Sequence, residues 1–442
     1  MIRTIFPREI RALVLCALVA GGAFVSSTLD ARAEASPGER LRSAVEQRAA
    51  KIPNAPKLNF GDFADTVRVR SAMPRLREKL KAGGPIHVVY LGGSITQNAK
   101  GHTSMVSDFL RGMKGPDGDK AEFKFTNAGL SSTCSTSGAF RLESHVLNEG
   151  RVDLLIVEFA VNDDQDAGHS FRDCVRGMEG VVRRTRRHNP DAEIVIVHYV
   201  NPGMLEMIQK GGAPLTIRAH EKVAEHYRLN SVNVAASVAG AIHRGEYAWK
   251  DYGGTHPKAF GYLVASARIA HAVLAGLGDG ESADSVAAAT YALPAPIDEH
   301  CYDSGRFIAP GKAKLSGKWT SGKATKELMP VGAVRAQYDG YDAIRAERPG
   351  ASLALKFTGR AIGAFVLAGP DAGMVETRVD GGDWESHNLY HRHSRGLNYP
   401  RSVMFHAGFD RGDHRLELRL AESADDRSKG RAATILFFEV NE

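Results

Sequence analysis

The sequence predicts an α/β domain with a parallel β-sheet, followed by an all-β domain. Short apolar runs alternate with longer amphipathic segments between residues 86 and 277, a pattern typical of a parallel sheet with helices on both faces. From about residue 278 the pattern changes to short strands separated by turn signals such as Asp380-Gly381-Gly382, as in a β-sandwich. The length of 442 residues also favours two domains.

The N-terminus has the pattern of a secretory signal sequence. Arg3, Arg8 and Arg11 flank the start of an apolar run over residues 12–25, and Ala31-Arg32-Ala33 offers a small-x-small cleavage site. The apolar run is short for a membrane span, although a retained N-terminal anchor is an alternative. We therefore expect a periplasmic or secreted protein with no transmembrane segment after the signal is removed.

The predicted elements of the α/β domain alternate regularly. The strands are expected at 86–91, 122–127, 154–159, 193–199 and, more weakly, 231–234, and the helices near 103–113, 138–148, 170–188, 214–228 and 258–277. Residues before 85 are polar and helix-prone, with Leu41, Val45 and Ala49 on one face. The predicted domain boundaries are a signal peptide at 1–33, a helical N-terminal extension at 34–84, the α/β domain at 85–278, a linker at 279–310 and the β-domain at 311–442.

In the β-domain, turn signals separate short alternating runs. Strands are expected at 352–357, 362–368, 374–379, 414–420 and 433–440. No internal repeat and no low-complexity tract interrupts either domain.

Charge and cysteine content narrow the possible partners. The formal net charge of +6 is spread along the chain, and the densest basic run, 183–187, ends a predicted helix, where basic groups complement the helix dipole. We therefore expect no nucleic-acid partner.

The three cysteines after the signal sequence allow one disulfide. Cys134 and Cys174 can pair in an oxidising compartment and leave Cys301 free. Because no Cys or His spacing suits a structural zinc site, neither a metal nor a cofactor is expected.

Four short blocks of polar residues stand at strand ends or before the last helix. They are Gly92-Gly93-Ser94-Ile95-Thr96, Asn127-Ala128-Gly129-Leu130-Ser131-Ser132, Ala160-Val161-Asn162-Asp163 and Asp251-Tyr252-Gly253-Gly254-Thr255-His256-Pro257. The carboxyl ends of parallel strands gather at one edge of the sheet, where ligands bind. A serine hydroxyl becomes a nucleophile when a histidine accepts its proton, and amide groups stabilise the oxyanion that results. Taken singly, each block also fits a structural turn or helix start; together they indicate a hydrolytic site.

These blocks resemble those of the SGNH (GDSL-type) hydrolase superfamily, in particular its secreted branch with Gly-Gly-Ser-Ile-Thr in the first block. Phe140-Arg141-Leu142 fits the same branch, and the resemblance spans about residues 86–275. It implies a three-layer, flavodoxin-like α/β/α fold with a five-stranded parallel sheet, here followed by a jelly-roll-like β-sandwich. It also implies ester hydrolysis, commonly the removal of acyl groups from carbohydrates.

The resemblance assigns roles to residues of this chain. Ser94 corresponds to the nucleophile and His256 to the general base, while Asn162 and the backbone N–H groups of Ser94 and Ser132 correspond to the oxyanion hole. The chain departs from the family at two positions: Ser132 replaces a glycine, and the acid expected three residues before the histidine is replaced by Gly253. Either Asp251 reaches His256 through a local bulge, which we favour, or a backbone carbonyl orients His256 in a Ser-His dyad.

Four further residues are candidates for substrate binding. They are Arg141, Asp163, Trp384 and Tyr390. Trp384 and Tyr390 precede His391 and His393 in a stretch that suits sugar recognition or packing on the catalytic domain. The predicted function is an exported esterase acting on an acylated carbohydrate or another ester. A glycosidase that uses Glu158 or Asp163 and a catalytically weak carbohydrate-binding protein are the alternatives.

Overall fold

The computed structural model describes residues 35–112, 121–278 and 292–442. Its first domain is built on a six-stranded sheet. Its strands are β1 Val67–Arg68, β2 Pro85–Gly92, β3 Glu122–Gly129, β4 Leu154–Glu158, β5 Glu193–His198 and β6 Asn230–Asn233. Their order in the sheet is β1-β6-β5-β4-β2-β3. The five predicted parallel strands are confirmed, and β1 adds an antiparallel edge strand beside β6.

Thirteen α-helices lie in the described part of the chain. They are α1 Pro37–Ala49, α2 Phe63–Thr66, α3 Pro74–Ala82, α4 Ser94–Gln97, α5 His102–Arg111, α6 Ser135–His145, α7 Ala160–Asn162, α8 Phe171–His188, α9 Pro202–Gln209, α10 Leu215–His226, α11 Val234–His243, α12 Trp249–Tyr252 and α13 Ala259–Leu277. Local sequence sets several boundaries. The Ser170 hydroxyl accepts from the Asp173 N–H, and the Asp173 carboxylate accepts from the Ser170 N–H, so a capping box starts α8.

The sheet separates two apolar cores. Val88 and Tyr90 of β2 pack into the core that contains α5 and α13, whereas Val89 and Leu91 pack into the core that contains α6 and α8. This alternation follows from the two-residue period of a strand, and it produces the three-layer α/β/α arrangement. The N-terminal helix α1 buries Leu41 and Val45 in the first core.

Helix α13 is part of this core. Among the described residues it is the one helix long and apolar enough to cross a membrane, and 83% of its most apolar window is buried inside the protein. The predicted signal sequence, residues 1–33, lies outside the described residues, as do residues 279–291 of the predicted linker.

The second domain is an antiparallel β-structure, as predicted. Its strands are β7 Gly305–Ile308, β8 Lys314–Ser316, β9 Trp319–Lys323, β10 Asp342–Ala346, β11 Ser352–Ala368, β12 Met374–Val379, β13 Glu385–Asn388, β14 Tyr399–Leu420 and β15 Ala433–Asn441. Seven of them follow the order β13-β12-β14-β11-β15-β10-β9, with β7 on β15 and β8 on β11. The strands predicted at 352–357 and 362–368 are one strand, β11, with register shifts between Gly359 and Ala361 and between Ile362 and Gly363.

The two domains pack directly against each other. The hydroxyls of Ser137 in α6 and Ser402 in β14 lie 2.7 Å apart, and Ser402 donates a hydrogen bond of 2.6 Å to Oε1 of the buried Glu439 in β15. Gly305 of β7 lies against the ring of Phe140, because a Cβ atom at Gly305 would be 2.9 Å from that ring. Residues 36–442 thus form one compact unit.

Candidate active site

The turn that carries Ser94 follows the central strand β2 directly. Gly92 ends the strand, Gly93 follows, and Ser94 begins α4. A Cβ atom on Gly92 would lie 2.1 Å from Oε1 of Glu158, and one on Gly93 would lie 2.2 Å from Oδ1 of Asn162. The two glycines are therefore required for Glu158, at the end of β4, and Asn162, after it, to approach the turn this closely.

Ser94 and His256 meet at this turn. The Oγ atom of Ser94 lies 2.7 Å from Nε2 of His256, a normal hydrogen-bond length. His256 is exposed and lies in the loop between α12 and α13, where Gly253 and Gly254 adopt φ angles of 113° and 101°. The structure thus places the predicted nucleophile and base in the contact that general-base activation of a serine requires.

The structure does not bring Asp251 to His256. Its Oδ2 atom instead accepts a hydrogen bond of 2.9 Å from the backbone N–H of Ala248 and so stabilises the first turn of α12. Within residues 35–112, 121–278 and 292–442, the hydrogen bond to Ser94 is the only one that His256 makes. The geometry therefore does not support the favoured triad, because the carboxylate nearest in sequence caps a helix. Among the described residues no backbone carbonyl is hydrogen-bonded to His256 either.

Asn162 lies beside Ser94 at the end of α7 and is 3% exposed. Its Nδ2 atom donates a hydrogen bond of 2.7 Å to Oδ2 of Asp166. Burial raises the pKa of the Asp166 carboxyl, although the hydrogen bond from Asn162 acts in the opposite direction. Since a side-chain amide has two N–H groups, Asp166 orients Asn162 and leaves one donor for a ligand.

Ser132 keeps the backbone conformation that a glycine would favour. Its φ angle is 67°, in the left-handed region. The Ser132 hydroxyl accepts a hydrogen bond of 2.9 Å from Nη1 of Arg335, which lies 203 residues later, in the β-domain. Sequence analysis did not identify Arg335, and no local motif marks it. The β-domain therefore contacts the loop that was expected to supply an oxyanion donor.

Glu158, at the end of β4, stabilises the turn that carries Ser94 through hydrogen bonds. Its Oε1 atom accepts hydrogen bonds from the backbone N–H of Gly93 at 2.9 Å and from the hydroxyl of Thr96 at 2.6 Å. Burial raises its pKa to about 7, and these hydrogen bonds partly oppose the rise. With 1% of its surface exposed, Glu158 is out of reach of a substrate, so it does not fit the role of a glycosidase carboxylate.

Arg141 is also enclosed and cannot contact a substrate as proposed from the sequence. Its guanidinium is fully buried and donates to the carbonyl of Ala128 at 2.7 Å and to that of Gly92 at 3.0 Å. Burial lowers its pKa to about 10. Arg141 therefore ties together the carboxyl ends of β2 and β3, from which Ser94 and Ser132 follow.

Asp163 is also buried and hydrogen-bonded within the protein, and this corrects its assignment to substrate binding. Its Oδ1 atom accepts from the Ser135 N–H at 2.7 Å, and its Oδ2 atom lies 2.9 Å from Nε2 of His220. Burial alone would raise the pKa of this carboxyl, but His169 and His220 lower it well below the ordinary value. The carboxylate is therefore charged and hydrogen-bonded to internal groups, not directed at a bound sugar.

The side chains of Trp384 and Tyr390 make their contacts within the β-domain. The indole ring of Trp384 is covered by the guanidinium groups of Arg378 and Arg419, at 4.6 and 4.2 Å from the ring centroid. Tyr390 is 6% exposed and belongs to the apolar core of that domain. Neither side chain has a contact with Ser94 or His256 in the described structure, so the geometry does not support their predicted role in sugar binding.

The loop after Tyr390 packs on the catalytic domain instead. Nε2 of His391 donates to the backbone carbonyl of Asp166 at 2.9 Å, and the guanidinium of Arg392 donates to the carbonyl of Gln165. The ring of His391 stacks on that of Tyr399, with the centroids 4.3 Å apart. These contacts hold the segment that follows Asn162, which agrees with the packing interpretation of this loop.

Comparison with known proteins agrees with this description. Residues 90–264 match the GDSL-like Lipase/Acylhydrolase family. No curated protein sequence matches the chain.

Two solved structures of one esterase share the two-domain fold. Two crystal structures of a two-domain esterase (CEX) active on acetylated mannans, one of them co-crystallised with mannopentaose, each have a TM-score of 0.66. Their identities are 19% and 20%, and each alignment covers 86% of this chain and 98% of that chain. An acetyl xylan esterase, AlAXEase, has a TM-score of 0.35 and 15% identity over 42% of this chain and 100% of its own.

At these identities the CEX structures establish the fold of both domains, and the family match over residues 90–264 establishes the class of the first. The α/β domain therefore belongs to the GDSL-like lipase/acylhydrolase (SGNH) family, and the chain is an SGNH-type acylhydrolase with an appended antiparallel β-domain.

Proposed function

We propose that this protein is an exported esterase that removes O-acetyl groups from a carbohydrate, with Ser94 as the nucleophile and His256 as the general base. The contact of 2.7 Å between Ser94 Oγ and His256 Nε2 carries the proposal. This contact lies at the carboxyl end of the parallel sheet, where α/β proteins bind ligands. Asn162 stands beside it with one amide N–H available.

In the first half of the reaction, Ser94 Oγ attacks the acetyl carbonyl carbon while Nε2 of His256 takes the hydroxyl proton. The carbonyl oxygen becomes an oxyanion, which Asn162 Nδ2 and the backbone N–H groups of Ser94 and Ser132 stabilise. The bond to the sugar oxygen then breaks, His256 protonates that oxygen, and an acetyl-serine remains.

In the second half, water replaces the sugar. His256 takes a proton from the water molecule while the water oxygen attacks the carbonyl carbon of the acetyl-serine. A second oxyanion forms beside the same donor groups. When the bond to Ser94 Oγ breaks, His256 returns the proton to the serine and acetate leaves. One histidine thus serves as base and then acid in each half, and no redox partner is needed.

Three observations support a carbohydrate substrate. The sequence begins with a signal pattern, which suits an enzyme acting on material outside the cytoplasm. The β-domain packs against the catalytic domain and reaches the Ser132 loop through Arg335, so it is positioned to contact a large substrate. The two-domain esterase with the same overall fold is active on acetylated mannans, which makes acetylated mannan the first substrate to test.

The glycosidase alternative is less compatible with the geometry. It requires two carboxyl groups that flank a bound sugar, but Glu158 and Asp163 are 1% and 0% exposed and bonded to internal groups. The contact of 2.7 Å between Ser94 and His256 supports the esterase over this alternative.

The test is a substrate panel with paired readouts. The purified protein should release acetate from acetylated mannan or acetylated xylan and should release no reducing sugar, while Ser94→Ala and His256→Ala should be inactive and fully folded. Reducing-sugar release would support the glycosidase, and acetate release by Ser94→Ala would place the site elsewhere. Export is tested separately by sequencing the N-terminus of the mature protein, which should begin near Glu34.

A further inference from the structure

We propose that a divalent transition-metal ion of the zinc type binds between Cys134, Asp163 and His169, beside the segment that carries Asn162. Cys134 directly precedes α6, Asp163 directly follows α7, and His169 lies two residues before α8. Sγ of the cysteine, a carboxylate oxygen and an imidazole nitrogen lie within 4.8 Å of one another. This site is independent of the esterase proposal, since it involves neither Ser94 nor His256.

The distances inside this group suit a shared ion better than a direct bond. Oδ1 of Asp163 and Nδ1 of His169 are 3.6 Å apart, too far for a strong hydrogen bond. Zinc–ligand bonds of about 2.0–2.2 Å in a tetrahedral site separate two such ligands by about 3.3–3.5 Å. Nδ1 of His169 has no hydrogen-bond partner among the described residues. A small movement would therefore place both atoms on one ion.

Neighbouring groups hold the carboxylate in place. Nε2 of His220 lies 2.9 Å from Oδ2 of Asp163, and the Ser135 N–H donates to Oδ1 at 2.7 Å. Outer partners of this kind fix the orientation of metal ligands. His220 and Cys174 also form, with Asp163, a second group of donor atoms within 4.8 Å. The pocket therefore gathers two thiols, two imidazoles and one carboxylate.

Charge and ligand type identify the class of ion. Cys134 and Asp163 are buried and the side chain of His169 is 15% exposed. A thiolate and a carboxylate together neutralise a dication, so the loaded site would carry no net charge into the interior. Thiolate and imidazole ligands favour zinc and related metals over magnesium or calcium. Because the ligands come from three separate segments, no Cys-x-x-Cys spacing marks the site in the sequence.

The test measures metal content in the full chain after removal of any affinity tag. The protein is kept reduced, stripped with a chelator, incubated with zinc sulfate and desalted, and zinc is measured by mass spectrometry. The wild type and Cys301→Ser, a matched variant of a buried free cysteine outside the group, should hold about one zinc per chain. Cys134→Ser and His169→Gln should lose most of it. Cobalt loading should give thiolate-to-cobalt absorption in the first pair and none in Cys134→Ser.

A thermal readout keeps the result interpretable if one variant folds poorly. Zinc should raise the Tm of the wild type and of Cys301→Ser, because a ligand that binds the folded state stabilises it, and should leave the Tm of His169→Gln unchanged. Wild-type protein that takes up no zinc overturns the proposal, as does zinc binding that is unaffected in both ligand variants. A Cys134–Cys174 disulfide in zinc-free exported protein overturns it too.

Discussion

At the scale of single residues, Glu158 explains why a glycine stands at position 92, two residues before Ser94. Its carboxyl group accepts from the Gly93 N–H and the Thr96 hydroxyl in the space that a side chain at Gly92 would fill. Glu158→Ala leaves these buried donors unpaired, at a cost of about 1.5–3 kcal/mol, so kcat should fall about 10- to 100-fold. Glu158→Gln keeps one acceptor oxygen and should retain most of kcat. Equal losses in kcat for the two variants would contradict this role for Glu158.

Asp251 separates a dyad from a triad. Since its carboxylate caps α12 and makes no hydrogen bond to His256 in the described structure, Asp251→Asn should change kcat by less than about threefold, whereas loss of a triad acid costs about 10⁴-fold. Its effect on stability should also be small, because the asparagine keeps an amide oxygen that accepts from the Ala248 N–H. A kcat loss close to that of His256→Ala would show that Asp251 reaches the imidazole during catalysis.

Sequence motifs correctly predicted the positions of those site residues that are fixed by their place at a strand end or helix start. Ser94, Asn162 and His256 stand at strand ends or beside a helix start, and the parallel topology brings them together. The substrate-binding assignments for Arg141 and Asp163 are not supported, because both side chains are buried. Burial depends on tertiary structure, which local sequence does not reveal. Nothing in the neighbouring sequence reveals that both side chains are enclosed by strand ends and by α10.

At the scale of elements, strands and helices with clear periodicity were predictable. Helix α11 was not, because it is apolar on almost every side and shows no helical period. The strand β11 was read as two strands, since the register shifts near Gly359 and Gly363 interrupt its alternation. Its long partner β14 was recognised over residues 414–420 alone, because Gly408 and the polar run 410–413 interrupt the apolar alternation that Val403 and Phe405 begin.

The contact between β14 and β15 predicts a pH-dependent stability. Burial raises the pKa of Glu439 from 4.5 to about 8, although the hydrogen bond from Ser402 opposes the rise. Between these values the folded protein binds a proton that the unfolded chain releases, so stability falls as the pH rises through this window. Glu439→Gln should remove this part of the decline in Tm, whereas Glu422→Gln, at an exposed site, should follow the wild type. Parallel curves for all three proteins would contradict the assignment.

At the scale of the whole molecule, the β-domain completes the surroundings of the site through Arg335. Because Arg335 and Ser132 are 203 residues apart, sequence pattern could predict both domains and not this contact. Arg335→Leu should lower kcat/KM about three- to tenfold by releasing the Ser132 loop, since one hydrogen bond with a charged donor is lost. Arg348→Leu, an exposed change in the same domain, is the control. No difference between the two variants would mean that the β-domain leaves that loop unaffected.

The central claim is that His256 activates Ser94 as the nucleophile. The most direct measurement is covalent labelling with a fluorophosphonate, followed by mass spectrometric mapping of the modified residue. The account predicts one label per chain, on Ser94, strongly reduced in His256→Ala and retained in Asp251→Asn. Absence of labelling in the folded wild type, labelling of another residue, or equal labelling of His256→Ala would contradict it.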